Sequence, residues 1–185
     1  MLAHVPNLIS LMRLLLVPLV VYLVLQERII AAFWVFIAAG ASDAVDGFIA
    51  KRFNAASLLG RYLDPLADKA LLVALFILGG YMDFLPDWLV ILVVFRDVMI
   101  IGGAIVFHTI DQSLVTNPLA VSKLNTALQI VLVAAALCFR GYALDLAMVQ
   151  AVLEYAVAAT TLASGGAYLV HWSRKAATIE KDKRP

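Results

Sequence analysis

Four aspartates stand close together in a chain that otherwise reads as membrane: Asp43, Asp46, Asp64 and Asp68. Ionisable side chains at or near bilayer depth are costly and mark function. Asp46 follows Asp43 by three positions and Asp68 follows Asp64 by four, the two spacings that put side chains on one face of a helix. Two such pairs brought together make a dense all-oxygen cluster of negative charge, which needs bound cations to persist. Oxygen-only ligands at an open site favour Mg²⁺ or Mn²⁺ over zinc. Four carboxylates balance two divalent ions, an arrangement suited to phosphoryl chemistry. The plain alternative for any single Asp is a charge solvated at a helix end. Four at face-matched spacing, with glycines between them, argue against it. Gly47 and Gly60 leave room for a ligand or a neighbouring helix. Lys51 and Arg52 add positive charge, as an anionic diphosphate requires. Pro65 suits a first helical turn or a kink.

The elements that hold these groups follow from hydropathy. Apolar residues make up 64% of the 185 positions and mean hydropathy is +0.96, against roughly half apolar in a soluble domain. Apolar segments run at about 8–25, 29–50, 58–80, 88–110, 124–139 and 147–172. Most reach the ~20 residues that span a ~30 Å hydrocarbon core. The fifth is short, and residues 122–129 extend it as a polar helical lead-in. Strands are excluded, because an open sheet cannot satisfy its backbone in lipid. Short connections make this one all-α bundle of six transmembrane helices, residues 1–175, with a charged tail at 176–185. The first segment lacks the basic flank and small-residue cleavage site of a signal peptide and is expected to stay as a membrane helix. A net charge of +1 gives no basic field for nucleic acid. The single cysteine, Cys138, excludes an internal disulfide or a cysteine-ligated zinc, and a small core or lipid-facing role suits it.

Orientation follows from lysine and arginine. The second connection carries Lys51, Arg52 and Arg61, the fourth is followed by Lys123, and the tail carries Arg174, Lys175, Lys181, Lys183 and Arg184. The opposite side has Arg28 and Arg140 among Asp83, Asp87 and Asp145. Six spans put both termini on the basic, cytoplasmic side, together with the acidic stretch. Trp34, Trp88 and Trp172 suit membrane-boundary anchors. Glycine pairs at 79–80, 102–103 and 165–166 permit close helix approach, within the bundle or at a homodimer interface, and a homodimer is expected. His4, His108 and His171 suit ordinary polar roles.

The stretch from Asp43 to Asp68 resembles the signature of the CDP-alcohol phosphotransferase family, D-x2-D-G-x2-A-R-x8-G-x3-D-x3-D. Here it reads Asp43, Asp46, Gly47, Ala50, Lys51, Gly60, Asp64 and Asp68 with every spacing intact. The family arginine is Lys51, followed directly by Arg52. Lysine meets phosphate as a point charge without the bidentate fork, and either Lys51 or Arg52 takes that role. The resemblance implies that Asp43, Asp46, Asp64 and Asp68 hold the two cations, with Asp68 also the general base. It also implies that Asp46, Gly47, Lys51, Arg52, Ser57 and Gly60 line the CDP site. The other cardiolipin-forming chemistry needs an H-x-K-x4-D motif, which none of the three histidines offers.

The family leaves the acceptor alcohol open. Arg13, after Asn7 and Ser10 at a helix start, lies too deep for a bland charge; a snorkelling Arg is the alternative to a contact with phosphate or with the acidic cluster. Arg96 and Asp97 lie within the fourth segment. Neighbours on a helix diverge by about 100°, so different partners are expected for them, Arg96 being a candidate for the acceptor phosphate. A neutralised pair is the alternative. Lys123, Thr126 and Gln129 recur every three residues and can point together at a head group, or pack against a helix. The segments RDVMII and SKLNTALQIVLV resemble most the CMP-forming cardiolipin synthases within this family. That implies CDP-diacylglycerol and phosphatidylglycerol as substrates, in the bacterial cytoplasmic membrane in preference to the mitochondrial inner membrane. The related phosphatidylglycerophosphate synthases, which use glycerol 3-phosphate, share these features. A divalent-cation carrier is the non-enzymatic alternative, and it leaves Gly47 and Gly60 without a role.

Overall fold

The computed structural model describes residues 5–53, 60–110 and 120–182, with side chains described over 12–42, 69–105 and 120–174. All of the secondary structure in these residues is helical: α1 Val5–Leu25, α2 Ile29–Phe53, α3 Gly60–Tyr81, α4 Asp87–Ile110, α5 Ala120–Gly141 and α6 Ala147–Asp182. Three stretches among the described residues are long and apolar enough to cross a membrane: Asp87–Ile105, Ala120–Gly141 and Ala147–Arg174. The protein is therefore an integral membrane protein.

One boundary differs from the hydropathy reading. The polar lead-in at 122–129 is helix from Ala120 onward, as expected, but α6 runs on through the charged tail to Asp182. Charged residues with good helix propensity continue a helix once an apolar span has nucleated it. The tail is thus helical as far as Asp182.

The chain divides into two compact units, residues 1–86 with 133–150, and residues 87–132 with 151–185. In the first, α1 packs against both α2 and α3. Its buried stripe is Arg13, Val20 and Val24, that of α2 is Ile29, Ala32, Phe36 and Ala39, and that of α3 includes Leu71, Leu72, Leu75 and Leu78. Three connections gather at one end of this unit. Gln150 Nε2 donates to the Phe84 carbonyl at 2.7 Å, Trp34 Nε1 to the Tyr142 hydroxyl at 3.2 Å, and the Phe33 and Tyr142 rings meet edge-on. Each connection turns on one left-handed residue that is not glycine: Glu27, Asp83 and Ala143, with φ of 56°, 56° and 52°. That conformation lets the Arg28, Phe84 and Leu144 amides bond back to carbonyls five residues earlier at 2.9 Å, closing the helix ends.

The second unit contains α4, the first half of α5 and most of α6. Its buried stripes are Leu89, Val93, Arg96 and Asp97 on α4, Asn125, Gln129 and Leu132 on α5, and Val157, Thr161, Ser164, Tyr168 and Trp172 on α6. Trp34 and Trp88 are exposed, as boundary anchors should be, and Trp88 stacks on the exposed Tyr155 ring at 5.9 Å. Trp172 departs from that expectation: it is buried, and a Cβ at Gly103 would overlap its indole. The glycine there is the gap that the ring fills.

Candidate functional site

The two aspartate pairs belong to the first unit. Along α2 the buried positions 29, 32, 36 and 39 step by three and four residues, and the same stepping continues through 43 and 46. Along α3 the buried positions 71, 72, 75 and 78 extend backward to 68 and 64 in the same way. The four aspartate positions therefore continue the sequence spacing of these two stripes.

Their depths also match. α2 begins, and α3 ends, at the end of the unit where the connections gather. With a rise of ~1.5 Å per residue, positions 43 and 68 both lie roughly 20 Å along their helices from that end, and positions 46 and 64 roughly 25 Å. Arg13 on α1 lies roughly 18 Å from the same end, on a buried stripe, 2% exposed. One buried arginine thus shares the depth of the carboxylate positions, on the helix that packs against both of their helices. The aspartate side chains, with those of Gly47, Lys51, Arg52 and Gly60, lie outside the described side chains, and Ser57 lies outside the described residues altogether. Their donor chemistry suits hard divalent cations, being carboxylate oxygen throughout. Among the described residues no group of three or more acidic, His or Cys side chains is placed to hold a metal.

The second unit holds a buried polar cluster built by three helices. Arg96, 3% exposed, donates from one terminal nitrogen to Asp97 at 2.6 Å, and from the other to the Ser122 hydroxyl at 2.6 Å and to the Ser164 hydroxyl. The sequence expectation of separate partners for Arg96 and Asp97 is overturned. The arginine stem is long enough to fold back across the divergence of adjacent helical positions, so the two form a buried ion pair.

Three residues along α5 from the ion pair's Ser122 link, the cluster becomes neutral. Asn125 is fully buried, and its side-chain oxygen lies 2.9 Å from the hydroxyls of both Thr160 and Thr161. Gln129, one turn further along α5, is also fully buried. Its Nε2 and Oε1 have no hydrogen-bond partner, nor do Asn125 Nδ2 and Arg96 Nε. The three-residue pattern expected on α5 is met in part. Gln129 is buried, Thr126 is half-buried with its hydroxyl returned to the Ser122 carbonyl at 3.1 Å, and Lys123 is exposed. The inward polar face instead runs from half-buried Ser122 through buried Asn125 to buried Gln129. Asn125, Thr160, Thr161 and Ser164 escaped the sequence reading. Their signal was there: hydroxyls at 160, 161 and 164 inside an apolar span share one helical face.

Residues 3–163 match the CDP-alcohol phosphatidyltransferase family. The chain is similar to cardiolipin synthase (CMP-forming) of Rattus norvegicus, 38% identical over 97% of this chain and 64% of that protein. The Homo sapiens protein of the same name is 36% identical over 96% of this chain and again 64% of its own length. The chain therefore spans just under two thirds of these mammalian relatives. It is also 32% identical, over 72% of its length, to CDP-diacylglycerol–glycerol-3-phosphate 3-phosphatidyltransferase of Bacillus subtilis, 76% of which is covered.

Proposed function

The chain belongs to the CDP-alcohol phosphatidyltransferase family, and from that premise we propose that it transfers a phosphatidyl group from CDP-diacylglycerol to phosphatidylglycerol, forming cardiolipin and CMP. The observation that carries the reading is the aspartate signature, intact in spacing, with its backbone positions on α2 and α3 at matched depths. The names of the mammalian relatives support phosphatidylglycerol as acceptor. The Bacillus subtilis relative supports a second reading, with glycerol 3-phosphate as acceptor.

In this proposal all six helices span the bacterial cytoplasmic membrane, both termini and the acidic stretch face the cytoplasm, and the protein is a homodimer. Asp43, Asp46, Asp64 and Asp68 hold two divalent cations, Mg²⁺ or Mn²⁺, which when bound supply the charge that neutralises the diphosphate. Gly47, Lys51, Arg52, Ser57 and Gly60 bind the CDP moiety, the glycines by leaving space and the basic pair by charge. Arg13 sits beside the carboxylate positions and balances their charge or meets a phosphate. Arg96, Lys123, Thr126 and Gln129 serve the acceptor. Asp68 takes the proton of the acceptor hydroxyl as its oxygen bonds to the phosphatidyl phosphorus. The bond from that phosphorus to the bridging oxygen breaks, and CMP leaves with the electron pair.

A positioned base contributes ~10²–10⁴-fold to rate. In vesicles holding CDP-diacylglycerol, phosphatidylglycerol and Mg²⁺, the protein should release CMP, and Asp68→Asn should cut turnover ~10²-fold or more while retaining CDP-diacylglycerol binding. Near-normal CMP release by Asp68→Asn would remove Asp68 from the role of base. Cation flux without any CMP would mark a carrier instead.

A further inference from the structure

The cluster in the second unit is polar but carries no net charge. Its one cation, Arg96, is already paired with Asp97 and spends its remaining terminal nitrogen on two serine hydroxyls. Besides the Nε of that charge-paired arginine, what is left over is a set of neutral donors and one neutral acceptor: Asn125 Nδ2, Gln129 Nε2 and Gln129 Oε1. Both side chains are fully buried, and a buried amide without partners is destabilising by ~1–3 kcal/mol per group. A protein that keeps two such amides one turn apart, with Thr160 and Thr161 fixing one of them, holds them for a partner. Whichever way the Asn125 amide is turned, the two hydroxyls engage one of its polar atoms and leave the other over.

The chemistry of that partner follows from the atoms. Residues four apart on a helix stand ~5–6 Å apart at Cβ, so the two amides can be bridged by a small group bearing adjacent hydroxyls. Each hydroxyl donates one hydrogen bond and accepts others, which matches one carbonyl oxygen and two NH₂ groups. A phosphate dianion has acceptors only. It would leave Gln129 Oε1 without a donor and would find no uncompensated positive charge in the cluster. We propose that Asn125 and Gln129 are specificity-determining residues that read the free hydroxyls of an uncharged glycerol head group, so that the acceptor is chosen by its hydroxyls and not by a terminal phosphate. The inference deepens the proposed function and rests on it for the identity of the lipid.

The test measures thermal unfolding of the full chain in detergent with short-chain phosphatidylglycerol, with phosphatidylethanol (the same phosphodiester without free hydroxyls) and with glycerol 3-phosphate. Phosphatidylglycerol should raise the unfolding midpoint, and the other two should not. Gln129→Leu should unfold at or above the wild-type midpoint without lipid, because an orphan amide is exchanged for an apolar group of similar size, and should lose the response to phosphatidylglycerol. In the transfer assay it should raise the apparent KM for the acceptor at least tenfold and leave that for CDP-diacylglycerol unchanged. Equal stabilisation by phosphatidylethanol overturns the inference. So does a Gln129-dependent response to glycerol 3-phosphate, or a Gln129→Leu protein that is destabilised yet keeps its acceptor KM, which would mark a purely structural, water-bridged amide. Lipid product identity in wild type judges the proposed reaction separately: phosphatidylglycerophosphate alone would refute that reaction, while the unfolding data still decide what the amides recognise.

Discussion

Arg96 and Asp97 show how little a sequence says about a buried charge until its neighbours are known. Breaking a buried ion pair by removing one member costs ~3–5 kcal/mol, whereas replacing both by apolar groups is often neutral. Arg96→Ala should therefore lower the thermal midpoint more than Arg96→Met combined with Asp97→Leu. A double variant that unfolds earlier than the single one would mean that the pair itself, with its serine links, is the larger source of stability. The candidate site was legible in the sequence wherever fixed spacing carried it: the four aspartates, Gly47 and Gly60 need no fold to be noticed. The polar cluster was legible only in part. Arg96 and Gln129 stand out as polar groups in apolar spans, but Asn125, Thr161 and Ser164 acquire meaning only through contacts between α5 and α6. Small hydroxyls inside a helix are common enough to bond back to their own backbone, so their types alone decide nothing.

At the scale of elements, the six helices follow from hydropathy, because a span that is apolar on nearly every face can satisfy its backbone in lipid only as a helix. Their ends do not follow as well. α6 continues through its charged residues to Asp182, which an apolar-run criterion cannot see, and the left-handed residues Glu27, Asp83 and Ala143 have no glycine to announce them. Trp172 illustrates the same limit for packing. Its place near a predicted boundary suggested an anchor, yet it fills the space left by Gly103 on α4. A rigid indole against helix backbone has nowhere to go, so Gly103→Val should destabilise the protein by ~1–3 kcal/mol as overpacking does. Gly102→Val, where a Cβ meets nothing within 4 Å, should leave the midpoint near that of wild type. Equal effects at the two glycines, read by thermal unfolding, would remove Gly103 from the α4–α6 contact.

For the whole molecule, the chemistry is divided between the two compact units. The first carries the aspartate signature and the buried Arg13; the second carries a neutral polar cluster anchored by an internally compensated arginine. Under the proposed function, the first serves the CDP-linked donor and the second the alcohol. A cytidine diphosphate demands cations and a basic contact, and a glycerol head group demands hydroxyl-sized donors and acceptors. Under that proposal the aspartate signature meets the first demand and is silent on the second. The direct measurement is acceptor competition. Purified protein in vesicles with CDP-diacylglycerol and Mg²⁺ is offered phosphatidylglycerol and glycerol 3-phosphate together, and the lipid products are identified by mass spectrometry. Cardiolipin as the dominant product, formed with CMP in equal amount, is the expected result. Phosphatidylglycerophosphate formed in its place would contradict the account.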